Sequence, residues 1–488
     1  MADLETKNSA VATEESGERK VKMRSLALDL VPMGSDEENR MADLKVTKTL
    51  PEGIESKMLY SDIIHIAWPS LVELTLTQLA SMVDLMMVGQ LGPWALTAVG
   101  LTTQPKFLLM TMFMAMNVGA TAMVARYKGA GNQKKADEVL RQALLMTFVL
   151  GCVFAVIGFI AAPWLIKFMG ASEDHVLQAG VDYLRIQMIG LPGLALTSTI
   201  TATLRGVGNS KTAMIYNAMA NIINVIFNYM LIYGNFGAPR MEVAGASLAT
   251  IIGQYCAMFM AFYAVMNGQQ YIILRFRDGF KPNKEEIKKI VDIGAPAMVE
   301  QVVMRIGLII YTRTVAGLGT LPYAVHQVCL NIQSLSFMNG QAFAVSATSL
   351  TGQSLGKKRH DMAQAYTTRT RKLGMCVSIF LGVVFFFFGG QIVALYSGGD
   401  QSLVELGAVI MMFVAVVQPF QSSQLILAGA LRGAGDTKVT AAITFITVLL
   451  VRPALAIFAI NVLGMGLEGA WYALVTDQIL RSLLVLLR

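Results

Sequence analysis

Residues 69–92, PSLVELTLTQLASMVDLMMVGQLG, make an apolar run long enough to cross a bilayer as a helix, because ~20 such residues span the hydrocarbon core. The run nevertheless carries two carboxylates, Glu73 and Asp84. Eleven residues at ~100° each bring Asp84 to within about 20° of Glu73, three turns along the same face. A helix face with two acids does not belong against lipid. The stretch recurs as residues 296–319, PAMVEQVVMRIGLIIYTRTVAGLG, an offset of 296 − 69 = 227, with Pro69/Pro296, Val72/Val299, Glu73/Glu300, Leu91/Leu318 and Gly92/Gly319 in step. The same offset relates Ala120-Thr121 to Ala347-Thr348, Gly129 to Gly356, Ala136 to Ala363, Leu204-Arg205-Gly206 to Leu431-Arg432-Gly433, and Gly208 to Gly435. The chain is one half written twice.

Composition agrees with a chain that lives in lipid. Of 488 residues, 55% are hydrophobic and only 15% charged, which is far from the globular average. Apolar segments fall at roughly 62–90, 94–125, 138–162, 176–203, 211–233, 243–266, 286–316, 322–350, 371–395, 403–430, 438–462 and 467–486, giving twelve spans. The fold class expected is an all-α membrane protein, twelve transmembrane helices in two six-helix lobes. Six spans per half start both halves on the same side, so the lobes are related by a pseudo-two-fold axis along the membrane normal. The expected divisions are a mobile polar cytoplasmic tail at 1–57, an N-lobe at 58–270, a basic cytoplasmic linker at 271–285 and a C-lobe at 286–488.

Charge fixes an expected orientation. Residues 1–57 hold 9 Lys/Arg against 12 Asp/Glu, which leaves 30 against 20 in the rest. Those surplus positives sit in loops after even-numbered spans, among them Arg126, Lys128, Lys134 and Lys135, then Arg275 to Lys289, then Arg432 and Lys438. The positive-inside rule therefore places these loops and both termini in the cytoplasm of a multi-pass cell-membrane protein. The basic loops need no nucleic acid to explain them. Cys152, Cys256, Cys329 and Cys376 lie in apolar segments without metal-type spacing, so neither a disulfide framework nor a metal site is expected.

Intramembrane charges carry the functional information, since each is costly unless it faces a cavity or a partner. Asp84, Glu300 and Glu73 are the candidates for binding a coupling cation and substrate in competition. Arg452 and Asp477 lie at similar depth in adjacent spans and are a candidate buried pair, although Asp477 also has Arg481 at i+4. His326, Asn228 and Gln421 are candidates for a polar pocket. LRGVGNSK (204–211) and LRGAGDTK (431–438) lack Walker spacing and read as helix ends followed by tight turns, with Asn209 or Asp436 near the next N-cap. Methionines such as Met110, Met112, Met114 and Met116 suit either packing or an adaptable pocket. No nucleophile elbow, HExxH or acid–base grouping favours an enzyme.

Taken together, the duplication, PxxxE…VDLMMVGQLG, the loops VARYKGAGNQKKA and TGQSLGKKRHDMA, and the LRGxGxxK pair resemble the multidrug and toxic compound extrusion (MATE) family, in its bacterial type, over residues ~58–488. The resemblance implies a secondary antiporter coupled to H⁺ or Na⁺, with no other cofactor, exporting small organic compounds of cationic or amphipathic character by alternating access, and read here as a monomer in the bilayer. Asp84 stands where the family has its first-helix aspartate. Asn228 replaces the fifth-span aspartate of the proton-linked branch, and Gln421 replaces the tenth-span aspartate of the sodium-linked branch, so neither coupling scheme transfers whole. Glu300 also departs from the place of the sodium branch's seventh-span glutamate. The alternative is a lipid or lipid-linked-glycan flippase of the same superfamily, which would favour a strongly cationic cavity.

Overall fold

The computed structural model describes residues 25–34, 50–51, 53–170, 173–395 and 401–488. Twelve long helices follow one another among them, with no strand. They are α1 (Ser56–Gly89), α2 (Pro93–Gly129), α3 (Gln133–Phe168), α4 (Asp174–Gly206), α5 (Ser210–Tyr233), α6 (Glu242–Met266), α7 (Lys284–Ala316), α8 (Thr320–Gly356), α9 (His360–Ala394), α10 (Gln401–Gly433), α11 (Thr437–Asn461) and α12 (Gly466–Leu487). Ten are long and apolar enough to cross a membrane by composition, and α4 and α8 are the two that are not. Their polar residues, such as Thr197, Thr199 and Thr203 on α4 and Gln333, Ser336 and Asn339 on α8, are buried inside the lobes instead. Large apolar side chains elsewhere, including Trp164, Phe168, Phe380 and Phe387, stay exposed, as a bilayer permits.

Packing follows the duplication. In the first lobe α1 packs on α5, α2 on α3 and α4, and α4 on α6; in the second, α7 packs on α11, α8 on α9 and α10, and α10 on α12. The lobes meet through α1, α2, α7 and α8. A Cβ on Gly129 would lie 1.9 Å from the Gln353 carbonyl oxygen, and one on Gly356 would lie 2.0 Å from that of Arg126. Adding 227 to 129 and 126 gives 356 and 353, so these two contacts exchange under the repeat. Only glycine permits this backbone approach. Further bonds cross the interface at the same end: Ser346 Oγ donates to the Ile63 carbonyl (3.1 Å), and Ser349 Oγ and Gln353 Nε2 donate to that of Gly206 (3.0 Å each). The lobes are thus joined at the end where the basic loops lie.

The turns after α4 and α10 have glycines in the left-handed region, Gly208 (φ 82°) and Gly435 (φ 79°). Asn209 then caps α5 by accepting from the Thr212 amide (3.2 Å). Asp436 occupies the same place before α11 but accepts from Arg488 Nε (3.0 Å) rather than capping. Within α11, residues Phe445–Val451 form a π-helical segment just before Arg452 and Pro453. Proline removes a backbone donor and crowds the preceding turn, which a wider turn relieves.

The mobile-tail expectation does not hold for the described part of residues 1–57. Ala27–Leu30 form a 3-10 turn whose Leu26, Ala27, Leu28 and Val31 are buried against Leu59 and Ile63 of α1 and Met362 and Tyr366 of α9. The Ala27 amide and the Tyr366 hydroxyl both donate to Asp62 Oδ2 (2.7 and 2.8 Å), and Lys357 Nζ donates to the carbonyls of Leu28 (2.7 Å) and Val31 (3.0 Å). The run LALDLV is too short to register as a span, yet it buries four apolar side chains across both lobes. The rest of that call, residues 1–24, 35–49 and 52, lies outside the described residues.

Candidate functional site

Helix α5 carries Asn217, Asn221, Asn224 and Asn228, spaced i, i+4, i+7 and i+11 and therefore on one face. This stripe meets the acidic face of α1. Asn217 Nδ2 donates to Glu73 Oε1 (2.7 Å), Asn221 Nδ2 to Thr77 Oγ1 (3.1 Å) and Asn228 Nδ2 to Asp84 Oδ1. All three partners are 144 residues apart, so the two helices run parallel in fixed register. Asn224 completes the grip in the amide orientation that satisfies both its ends: its nitrogen donates to Asp84 Oδ1 (2.9 Å) and Oδ2 (3.0 Å), and its oxygen accepts from the Thr250 amide of α6 (3.2 Å). The buried Asn228 Oδ1 has no hydrogen-bond partner among the described residues.

Glu73 and Glu300 sit differently. Arg205 Nη2 lies 2.8 Å from Glu73 Oε1, and Arg432 Nη2 lies 2.7 Å from Glu300 Oε1, with Thr440 Oγ1 donating to Glu300 Oε2 (3.1 Å). Both pairs obey the repeat, since 205 + 227 = 432 as 73 + 227 = 300. The arginines of the two LRG turns are therefore the counter-ions of the two PxxxE glutamates. The sequence reading found both motifs but did not connect them, although the common offset was the available signal. Of the three acids first weighed for binding a cation, two are already paired with guanidinium groups.

Position 84 + 227 = 311 in the second lobe is Tyr311, and 250 + 227 = 477 turns Thr250 into Asp477. Arg452 Nε (3.1 Å) and Nη2 both donate to Asp477 Oδ2, and Arg481 Nη2 reaches the same oxygen at 2.9 Å. Asp477 is fully buried, and the Arg452 guanidinium lies 5.7 Å over the Tyr311 ring. The place that holds Asp84 and amides in one lobe holds internal guanidinium groups in the other. His326 is buried 5.6 Å from both the Tyr311 and Trp471 rings, beside this triad rather than near Asp84. Gln421 accepts from Gln333 Nε2 (3.2 Å) in the interior of the second lobe.

Lys106 on α2, overlooked in the sequence although it interrupts an apolar run, interacts electrostatically with Asp84. The next residue, Phe107, lies under the Arg305 guanidinium of α7, 3.6 Å from its ring centroid.

The MatE family model matches residues 69–230 and again 296–458, two blocks whose starts differ by the same 296 − 69 = 227. The chain belongs to the MatE family. Among curated relatives, it is 27% identical over 427 residues to "Probable multidrug resistance protein NorM" of Thermotoga maritima, covering 87% of this chain and 91% of that one. It is 26% identical over 428 residues to the transporter YisQ of Bacillus subtilis, covering 87% and 92%. Its fold matches a solved outward-facing multidrug resistance MATE transporter of the MOP superfamily with a TM-score of 0.82 at 21% identity, covering 87% of this chain and 94% of the other. This MatE-family chain is a multi-pass membrane transporter of two helical lobes.

Proposed function

We propose that the chain is a cation-coupled antiporter, driven by H⁺ or Na⁺, that exports small organic amphipathic compounds by alternating access. One observation carries the reading: of Glu73, Asp84, Glu300 and Asp477, Asp84 alone is held by amides rather than by a guanidinium. A carboxylate beside the unpartnered Asn228 Oδ1 offers oxygen ligands that suit a hard cation, and it accepts a proton equally well. The second lobe fills the equivalent place with its own cation, Arg452. Ion exchange is thereby assigned to the first lobe, and Glu73 and Glu300 become structural.

Purified protein in proteoliposomes tests this with an imposed pH or Na⁺ gradient. Efflux of a dye driven by at least one of the two gradients is expected, and indifference to both would overturn the coupling. The orientation belongs to the same reading, with the joined, basic ends of the lobes in the cytoplasm. Cysteines placed at Gln133 and Asn283 should resist impermeant thiol reagents added outside intact cells; labelling of both from outside would reverse it.

A further inference from the structure

On α7, Ile287, Val291, Met298 and Arg305 are spaced 4, 7 and 7 residues apart and form one stripe facing α2. Gly294 allows close approach there, since a Cβ would stand 3.0 Å from the Ala115 carbonyl. Beside this contact α2, α3 and α7 flank an open-sided cavity of ≈ 460 Å³ lined by Met112, Met116, Met146, Phe154, Val291 and Met298, among others, with no charged residue in its wall. Arg305 stands two turns beyond Met298, roughly 10 Å along the helix. It is half-buried over Phe107, with no carboxylate partner among the described residues. Lys106 immediately precedes Phe107 on α2. A cation on an aromatic ring two turns along the helix from an apolar cavity is complementary to an anionic head on an apolar body.

We propose that this seam between the lobes is the substrate site for a single-chain amphipathic anion: the carboxylate pairs with the Arg305 guanidinium and the apolar body occupies the methionine-lined cavity. Arginine presents a planar fork that matches a carboxylate, and methionine adapts to varied apolar shapes. Because α2 and α7 belong to different lobes, an occupant there is handled by both halves as they move. The proposal deepens the exporter reading and rests on it. It also turns the expected preference from cations toward anions, since Glu73 and Glu300 are neutralised by Arg205 and Arg432 and do not count toward the field of the cleft.

Binding of radiolabelled dodecanoate and dodecyltrimethylammonium to the full chain in nanodiscs of neutral lipid tests the site. Dodecanoate is expected to bind about tenfold more tightly, and Arg305→Gln to remove that difference by weakening dodecanoate about tenfold without changing the ammonium probe. Arg305→Lys should retain part of the preference, and Met298→Trp, which fills the cavity, should weaken both probes. Unchanged dodecanoate binding by Arg305→Gln, or equal binding of the two probes by the unmodified chain, overturns the site. If that happens while a dye is still exported under a gradient, the exporter reading stands alone. Displacement of dodecanoate by anionic phospholipid, together with no dodecanoate counterflow in proteoliposomes, would show a lipid seat and overturn the substrate claim.

Discussion

Asp84→Asn is expected to insert and fold normally yet lose gradient-driven efflux. The substitution keeps the side-chain shape and leaves Asn228 and Asn224 a carbonyl oxygen to bond, so the α1–α5 contact survives. What disappears is the one group there that takes up a proton or balances a metal cation. Each charge crossing ~100 mV supplies ~2.3 kcal/mol, and losing that coupling forfeits about a fiftyfold substrate gradient per charge moved. Glu300→Gln should behave differently. It strands the Arg432 guanidinium beside a neutral amide, so lower folded yield is expected first, with coupling intact in the molecules that fold. Counterflow at matched expression separates the two cases. Full coupled efflux by Asp84→Asn would remove Asp84 from the coupling role, and uncoupled but fully folded Glu300→Gln would restore Glu300 to it.

The duplication, the count of spans and the twelve-helix architecture are legible in the sequence because each rests on long-range regularity: a constant offset and apolar length. Partners across helices are less legible. Glu73 appears unpaired along its own helix, since its counter-ion is 132 residues away at Arg205, and only the fold, which lets the Arg205 side chain reach α1 from the end of α4, reveals it. The asparagine stripe of α5 was within reach, because positions 217, 221, 224 and 228 follow the helical period and match the spacing of Glu73, Thr77 and Asp84. Asn228 stood out only as a departure from the family pattern, whereas the structure shows it as one rung of four. Lys106 and Arg305 are two visible intramembrane cations whose relation through Phe107 needs the lobe interface. The docked LALDLV segment was hidden by the acidic residues around it, for burial there is decided by a seat that both lobes supply.

The buried triad of Arg452, Asp477 and Arg481 gives the largest expected loss of stability, and the order of losses is diagnostic. Removing one member of a buried ion pair leaves an uncompensated charge and costs about 3–5 kcal/mol. Asp477→Asn leaves two guanidinium groups sharing one site with no acid between them, so it should be the most damaging single change. Arg452→Ala leaves Asp477 paired with Arg481 at 2.9 Å, and should cost less. Adding Arg452→Ala to Asp477→Asn removes the repulsion as well as the pair, so the double variant should recover part of the folded yield lost by Asp477→Asn alone, read as monodisperse protein in detergent and as thermal midpoint. Coupling of that kind is expected only between groups in contact, and strictly additive losses would break the link between Arg452 and Asp477, leaving Arg481 as the sole partner. The same comparison bears on how the lobes divide their labour. A second lobe whose Asp477 is held by guanidinium groups offers no free acid to a coupling ion, and the folded double variant, which lacks that acid altogether, should still export only through Asp84.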